Sequence, residues 1–283
     1  MRKNLSRTAS LVVVAAVYAL AVVIGYFTFV EACRALPVIW ALLVSDVIAT
    51  VFVWGMGLVY ENVSVYDPYW SVAPPVYFTA WAFFTGQWST PVILLLAAVW
   101  YWGIRLTGNW AYTFKGLRHE DWRYTRYRET LSPVLFQLTN FFGLNMMPTL
   151  LVFACMLPGF GLFDAPFSAN GFTWMGFGIC LAAVTVQLMA DRQSHRFRKE
   201  NPGQVCDAGL WKHGRHPNYF GEILFWWGIW AMYASLCGKD ALVLGPLAMT
   251  ALFVFVSIPM MERRQLENKP GYQDYRKKTR LFI

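Results

Sequence analysis

Apolar residues occur in eight long blocks along the chain, at 9–30, 37–60, 71–86, 90–107, 134–158, 171–190, 219–236 and 241–261. A helix that crosses a bilayer needs about 20 mostly apolar residues, within a range of about 17–25. Six blocks meet that easily. The third is short and contains Pro74 and Pro75, and the fourth ends at the charged Arg105. Both are therefore expected to be tilted, broken or partly buried among neighbours. The pattern predicts an all-α fold, a polytopic integral membrane helix bundle of about eight transmembrane helices. The first block follows Arg2, Lys3 and Arg7. It exceeds the roughly 7–15 apolar residues of a signal peptide, and no A-x-A site follows it, so it reads as a retained helix.

The polar intervals between blocks set the orientation. Lys and Arg gather at the N-terminus, at 105–128, at 192–215, and in a tail holding Arg263, Arg264, Lys269, Arg276, Lys277, Lys278 and Arg280. The segments 31–37, 86–90, 159–170 and 237–240 contain only Arg34 and Lys239. With eight spans the basic segments all fall on one side, and the basic-poor ones, apart from the acidic 61–70 loop, on the other. The positive-inside rule then puts both termini in the cytoplasm, in a bacterial inner membrane or the endoplasmic reticulum.

Composition agrees. Only 14% of residues are charged, against about 25% in a soluble domain, so the chain cannot cover a water-facing surface. The net charge of +8 follows from topology and calls for no nucleic-acid partner; no groove-binding or base-stacking module is visible. Membrane lipids are the expected surroundings, and the oligomeric state is open. The cysteines at 33, 155, 180, 206 and 237 show no C-x-x-C spacing and no nearby His, so no metal site is expected. The Gly-x-Gly pairs at 55/57, 159/161 and 176/178 lack a third glycine and a strand–helix unit, which excludes a Rossmann fingerprint or P-loop.

Candidate chemistry is densest at 187–222. Gln187, Asp191, His195 and Arg198 recur on one face of a helix leaving the membrane. Asn218 and Glu222 are one turn apart at the start of the next apolar block. An ionisable group inside an apolar helix is a functional-site candidate; the alternative is that Glu222 pairs with Arg215 or Arg198 to pin two helices. A second group is Arg105 with Asn109, where Arg105 either takes part in a site or snorkels to the headgroups. A third is 61–70, with Asp67 and Tyr69 at the entrance of a Trp-rich helix. Its plain reading is an aromatic belt and a turn at Asp67-Pro68.

The stretch Arg215-His216-Pro217-Asn218-Tyr219-Phe220-Gly221-Glu222, preceded by Gly209-Leu210-Trp211, resembles the C-terminal signature of the steroid 5α-reductase-like family. More narrowly, it resembles the bacterial-type branch catalogued as a domain of unknown function, DUF1295. Arg105-Leu106 with Asn109-Trp110, the segment His119-Glu120-Asp121-Trp122-Arg123-Tyr124, and Glu262-Arg263-Arg264 through Tyr272 to Tyr275-Arg276 also match. The resemblance runs from about residue 60 to the end. It divides the chain into N-terminal transmembrane helices, 1–60, and a catalytic membrane domain, 61–283.

The resemblance implies a membrane reductase that uses NADPH to reduce a carbon–carbon double bond of a lipid-like, steroid or isoprenoid-type substrate entering from the bilayer. It assigns Arg105, Asp191, Arg198, Asn218 and Glu222 to the cofactor, and the polar clusters around them add Asn109, His195, Arg215, His216 and Tyr219 as further cofactor-binding candidates. Asp67 falls where the reductases have a catalytic glutamate near a proline, and Tyr69 and Tyr101 are candidates for a carbonyl-polarising tyrosine. Isoprenylcysteine and phospholipid methyltransferases have a similar R-H-P-x-Y-x-G, so an S-adenosylmethionine-dependent membrane methyltransferase is the alternative. Reduction of a conjugated alkene builds negative charge on a carbonyl oxygen, which calls for a Tyr or protonated carboxyl as donor. Asp67 has no basic neighbour within 61–70 and is expected to have a raised pKa. Glu222, beside the basic 192–215 segment, is expected to be ionised.

Overall fold

A computed structural model describes residues 5–238 and 241–283. Arg2, Lys3 and Lys239, which enter the orientation argument, lie outside the described residues. Helices form where the apolar blocks predict them: α1 (Arg7–Ala32), α2 (Val38–Val59), α3 (Tyr69–Thr85), α4 (Thr90–Thr113), α6 (Pro133–Gly161), α7 (Gly171–Glu200), α9 (Pro217–Cys237) and α10 (Leu244–Asn268). Short polar helices α5 (Trp122–Thr130), α8 (Leu210–His213) and α11 (Tyr272–Lys278) lie between and after them. Among the described residues there is no strand, only one isolated bridge between Gly214 and Arg280. The all-α prediction holds.

Six helices, α1, α2, α4, α6, α7 and α10, are long and apolar enough to cross a membrane. The other two of the expected eight are helical but outside that group. α3 has 17 residues with Pro74 and Pro75 inside it, and α9 interrupts its apolar run with Asn218 and Glu222. α4 and α7 continue past their apolar blocks, and this extension carries Asn109 and the 191–200 side chains on regular helix. Helix starts follow local chemistry. Ser6 accepts from the Ala9 amide at 3.1 Å, and Asn170 and Thr173 form a reciprocal capping box at the start of α7, each satisfying amides that have no intrahelical partner.

The chain divides into two compact units interleaved in sequence, Met1–Tyr77 with Leu106–Phe153, and Phe78–Arg105 with Ala154–Ile283. Lipid supplies no hydrophobic drive between helices, so close approach through small residues and interhelical hydrogen bonds must hold them. In the first unit Ser45 Oγ donates to the Gly25 carbonyl at 2.7 Å. Thr149 Oγ1 lies 2.8 Å from Thr50 Oγ1 and 2.7 Å from the Tyr66 hydroxyl. Arg7 donates to the Ala111 and Phe114 carbonyls at 2.8 Å each, satisfying acceptors that the end of α4 leaves open.

In the second unit α7 and α9 approach through glycines. A Cβ at Gly228 would lie 2.5 Å from Cys180 Sγ and 3.0 Å from the Gly176 carbonyl; one at Gly221 would lie 2.7 Å from the Ala183 carbonyl. This contact brings Gln187 of α7 beside the first turns of α9.

Gly228→Ala should therefore force the two helices apart, at a cost of about 1–3 kcal/mol, the usual range for overpacking. Gly178, also on α7, has no atom within 4 Å of its Cβ position, so Gly178→Ala should leave stability unchanged or slightly raised. Thermal midpoints in detergent compare the two. Equal midpoints would show that the glycine contact does not limit stability.

Candidate functional site

The second unit gathers polar side chains from three helices. Trp102 and Arg105 are three residues apart on α4 and so share a face. Gln187 and Asp191 are successive turns of α7, and Asn218 and Glu222 successive turns of α9. Pro217, at the first position of α9, needs no hydrogen-bond acceptor there.

Glu222 is only 4% exposed. Its carboxylate accepts from Trp102 Nε1 at 3.0 and 3.1 Å, Trp226 Nε1 at 3.1 Å and Gln187 Nε2 at 3.2 Å. The Arg105 guanidinium lies 3.8 Å away. That same guanidinium donates to Asp191 at 2.9 Å, and Asn218 Nδ2 reaches the other Asp191 oxygen at 3.4 Å. One buried cation thus serves two carboxylates. Two polar atoms of the cluster have no partner among the described residues, the Arg105 Nε–H and the Gln187 carbonyl oxygen. A buried donor or acceptor left open costs about 1–3 kcal/mol.

Several expectations need correction. Glu222 pairs with Arg105, not with Arg215 or Arg198. Arg105 is buried and ion-paired and does not snorkel to headgroups. Arg215 and His216 turn toward the C-terminal segment, both bonding to Glu262 at 2.7 and 3.2 Å. Tyr219 stacks on His216 with centroids 5.5 Å apart and packs against Phe253 at 4.9 Å. Arg198 is exposed and donates to the Ser194 carbonyl at 3.2 Å. His195 is half-buried one turn beyond Asp191. Tyr101 places its hydroxyl 3.3 Å from Thr185 Oγ1.

The remaining candidates belong to the first unit. Asn109 offers its backbone carbonyl to Thr113 Oγ1 at 3.2 Å. Tyr69 donates to Asp46 at 2.9 Å, and Asp46 is 3% exposed on α2. Asp67 accepts from the Tyr124 hydroxyl. Although its own segment is free of bases, the fold brings Arg123 and Asp121 to it from the 108–133 loop. Burial raises the Asp67 pKa to about 6. Arg123 and the Tyr124 and Ser64 hydrogen bonds pull the other way, and Asp121 adds to the rise. The raised pKa is in the expected direction, and the segment 61–70 itself holds no base; Arg123 reaches Asp67 from outside it.

The sequence assigns no candidate role to Asp46, names Glu262 only within a matching stretch, and marks Gln187 only as part of a helical face. A usable signal existed for Asp46, a lone acid within an otherwise apolar block. Trp102 and Trp226 carried none, because an indole in a membrane helix usually reads as packing or belt.

The family model described as "Protein of unknown function (DUF1295)" matches residues 53–279. An uncharacterised protein of Schizosaccharomyces pombe is 22% identical over 280 residues, covering 87% of this chain and 79% of the relative. No solved structure matches the chain.

Asp67 yields a pH prediction. Its folded pKa of about 6 lies above the unfolded value of about 3.9, so the folded state binds more protons between the two. Stability should therefore fall as pH rises from about 4 to about 6 and level off above. Asp67→Asn should flatten that part of the thermal midpoint against pH curve. An unchanged slope in the variant would assign the titration to another group.

Proposed function

We propose, from the premise that this chain belongs to the DUF1295 family, that it is an NADPH-dependent membrane reductase. It would reduce a carbon–carbon double bond of a lipid-like substrate of steroid or isoprenoid type. The observation that carries this reading is the buried Arg105–Asp191–Glu222 cluster with its open Arg105 Nε–H and Gln187 Oε1. A free donor and a free acceptor on two side chains that both reach Glu222 fit a neutral polar group such as an amide or hydroxyl, both of which this cofactor contains.

NADPH, when bound, would supply the hydride. The chain's own part is orientation and electrostatics. Arg105 and Gln187 would take the polar group, while Asn218 holds Asp191 and Trp102 and Trp226 hold Glu222, so that neither carboxylate swings. Arg198, exposed near the end of α7, donates to the Ser194 carbonyl, and its guanidinium suits a phosphate. Arg215 and His216, committed to Glu262, support the site indirectly. Proton donation to the developing oxyanion has three candidates. Asp67 is partly protonated near neutral pH, Tyr69 is backed by Asp46, and Tyr101 lies beside Thr185.

Thermal stabilisation of purified protein by NADPH, NADH and S-adenosylmethionine, measured side by side, tests the reading, because a ligand of the native state must raise the midpoint. NADPH should act at the lowest concentration, and Glu222→Gln should abolish its effect. Response to S-adenosylmethionine alone would favour the methyltransferase. Asp67→Asn should bind NADPH normally while turnover falls about 10²–10⁴-fold, the range for a general acid. Unchanged turnover moves the role to Tyr69 or Tyr101, tested by Tyr→Phe at each.

The same reading includes eight spans with both termini in the cytoplasm, supported by the segregation of Lys and Arg. Reporters fused after residues 35 and 165 should both report the far side. A cytoplasmic signal at 165 would overturn the topology.

A further inference from the structure

The second unit ends in a segment that folds back on residues 211–220, just before α9 and in its first turn. Tyr275 of α11 donates its hydroxyl to the Trp211 carbonyl. The Arg215 amide donates to the Arg280 carbonyl at 2.9 Å and the His216 amide to the Leu281 carbonyl at 3.2 Å. The Phe220 and Phe282 rings are 5.7 Å apart. Gly214 lies at the centre of this contact. Its backbone is extended, at φ −144° and ψ 143°, which any residue adopts, so glycine is required here for space and not for conformation. A Cβ would meet Ile283 N and Phe282 C at 2.8 Å each.

Glu262 of α10 ties the contact together. It is 5% exposed. One oxygen accepts from Arg215 Nε at 2.7 Å and lies 3.2 Å from His216 Nε2; the other takes Arg276 Nε at 3.0 Å. Arg215 also donates to the Arg276 and Thr279 carbonyls. One carboxylate therefore joins the residues just before α9, helix α11 and its own helix.

We propose that Glu262 and the tail 279–283 form a clasp that positions the first turn of α9, making Glu262 a positioning residue for ligand binding at Asn218 and Glu222. The transmission is short. Phe220 N donates to the His216 carbonyl at 2.9 Å, and Pro217 has a fixed φ. Any movement of 215–216 therefore passes directly to Asn218, whose bond to Asp191 is already long at 3.4 Å. The clasp rests on the reductase reading for the identity of the ligand, but not for its own existence.

The test compares full-length wild type, Gly214→Ala, Glu262→Gln and the control Glu267→Gln, which alters an exposed pair on the same helix. Two quantities are read: amide hydrogen exchange at Arg215 and His216, and the NADPH concentration giving half-maximal thermal stabilisation. Gly214→Ala removes no polar partner and only displaces the tail. It and Glu262→Gln should each speed exchange at the two amides and raise the half-maximal concentration about tenfold, as expected for a misplaced hydrogen-bonding contact. Glu267→Gln should change neither. Faster exchange with an unchanged NADPH response would overturn the proposal, since the tail would then be a structural tie only. No NADPH response in the wild type would sink the reductase reading, and the same comparison would then be read with S-adenosylmethionine. An unchanged half-maximal concentration for that ligand in Gly214→Ala and Glu262→Gln, or unaltered exchange, would overturn the clasp.

Discussion

A guanidinium buried among apolar helices is tolerable only when its charge is matched, because moving an unpaired ion out of water costs several kcal/mol or more. Arg105 meets that condition with Asp191 and Glu222, and much of the second unit follows from the need to bring those two carboxylates to it. Asp191 and Glu222 are on different helices, so α7 and α9 must approach closely, which the glycines at 176, 221 and 228 permit. Glu222 needs more than one cation at 3.8 Å, and two indoles and an amide provide it. Even so, among the described residues the cluster is one donor and one acceptor short of complete. A structure that bears such a cost at one place generally does so for function.

The first unit handles buried polarity differently. Its groups are mostly neutral hydroxyls, and they bond across helices in pairs: Tyr66 with Thr149, Thr149 with Thr50, Tyr69 with Asp46, Ser45 with Gly25. These are the interhelical contacts that replace the missing hydrophobic drive in lipid. Around the 61–68 loop two acids join the neutral partners. The Val63 amide donates to Glu120, Asn62 Nδ2 to the Leu117 carbonyl, and Tyr124 to Asp67, so the loop is ordered by a polar segment more than fifty positions away.

At the C-terminus a basic tail that topology alone explains acquires a second role. Arg276 helps to hold Glu262, and the backbone of 280–281 pairs with 215–216. The stretch 215–222 is thus fixed from outside itself, by Glu262 and by backbone 65 positions further along the chain.

Helix positions and the membrane character were legible in the sequence because hydropathy is a local property: about twenty apolar residues in a row leave the backbone one way to satisfy its hydrogen bonds in lipid. The helical face of Gln187 and Asp191 and the one-turn spacing of Asn218 and Glu222 were legible for the same reason, since 3.6 residues per turn fixes them. Partner choice was not. That Glu222 takes Arg105 and leaves Arg215 to Glu262, that Asp67 meets Arg123, and that Asp46 meets Tyr69 depend on which helices touch and at what rotation. A hydrogen bond or ion pair needs its groups within about 4 Å, while the residues concerned are separated by 117, 47, 56 and 23 positions. No local pattern encodes such distances; only packing decides them.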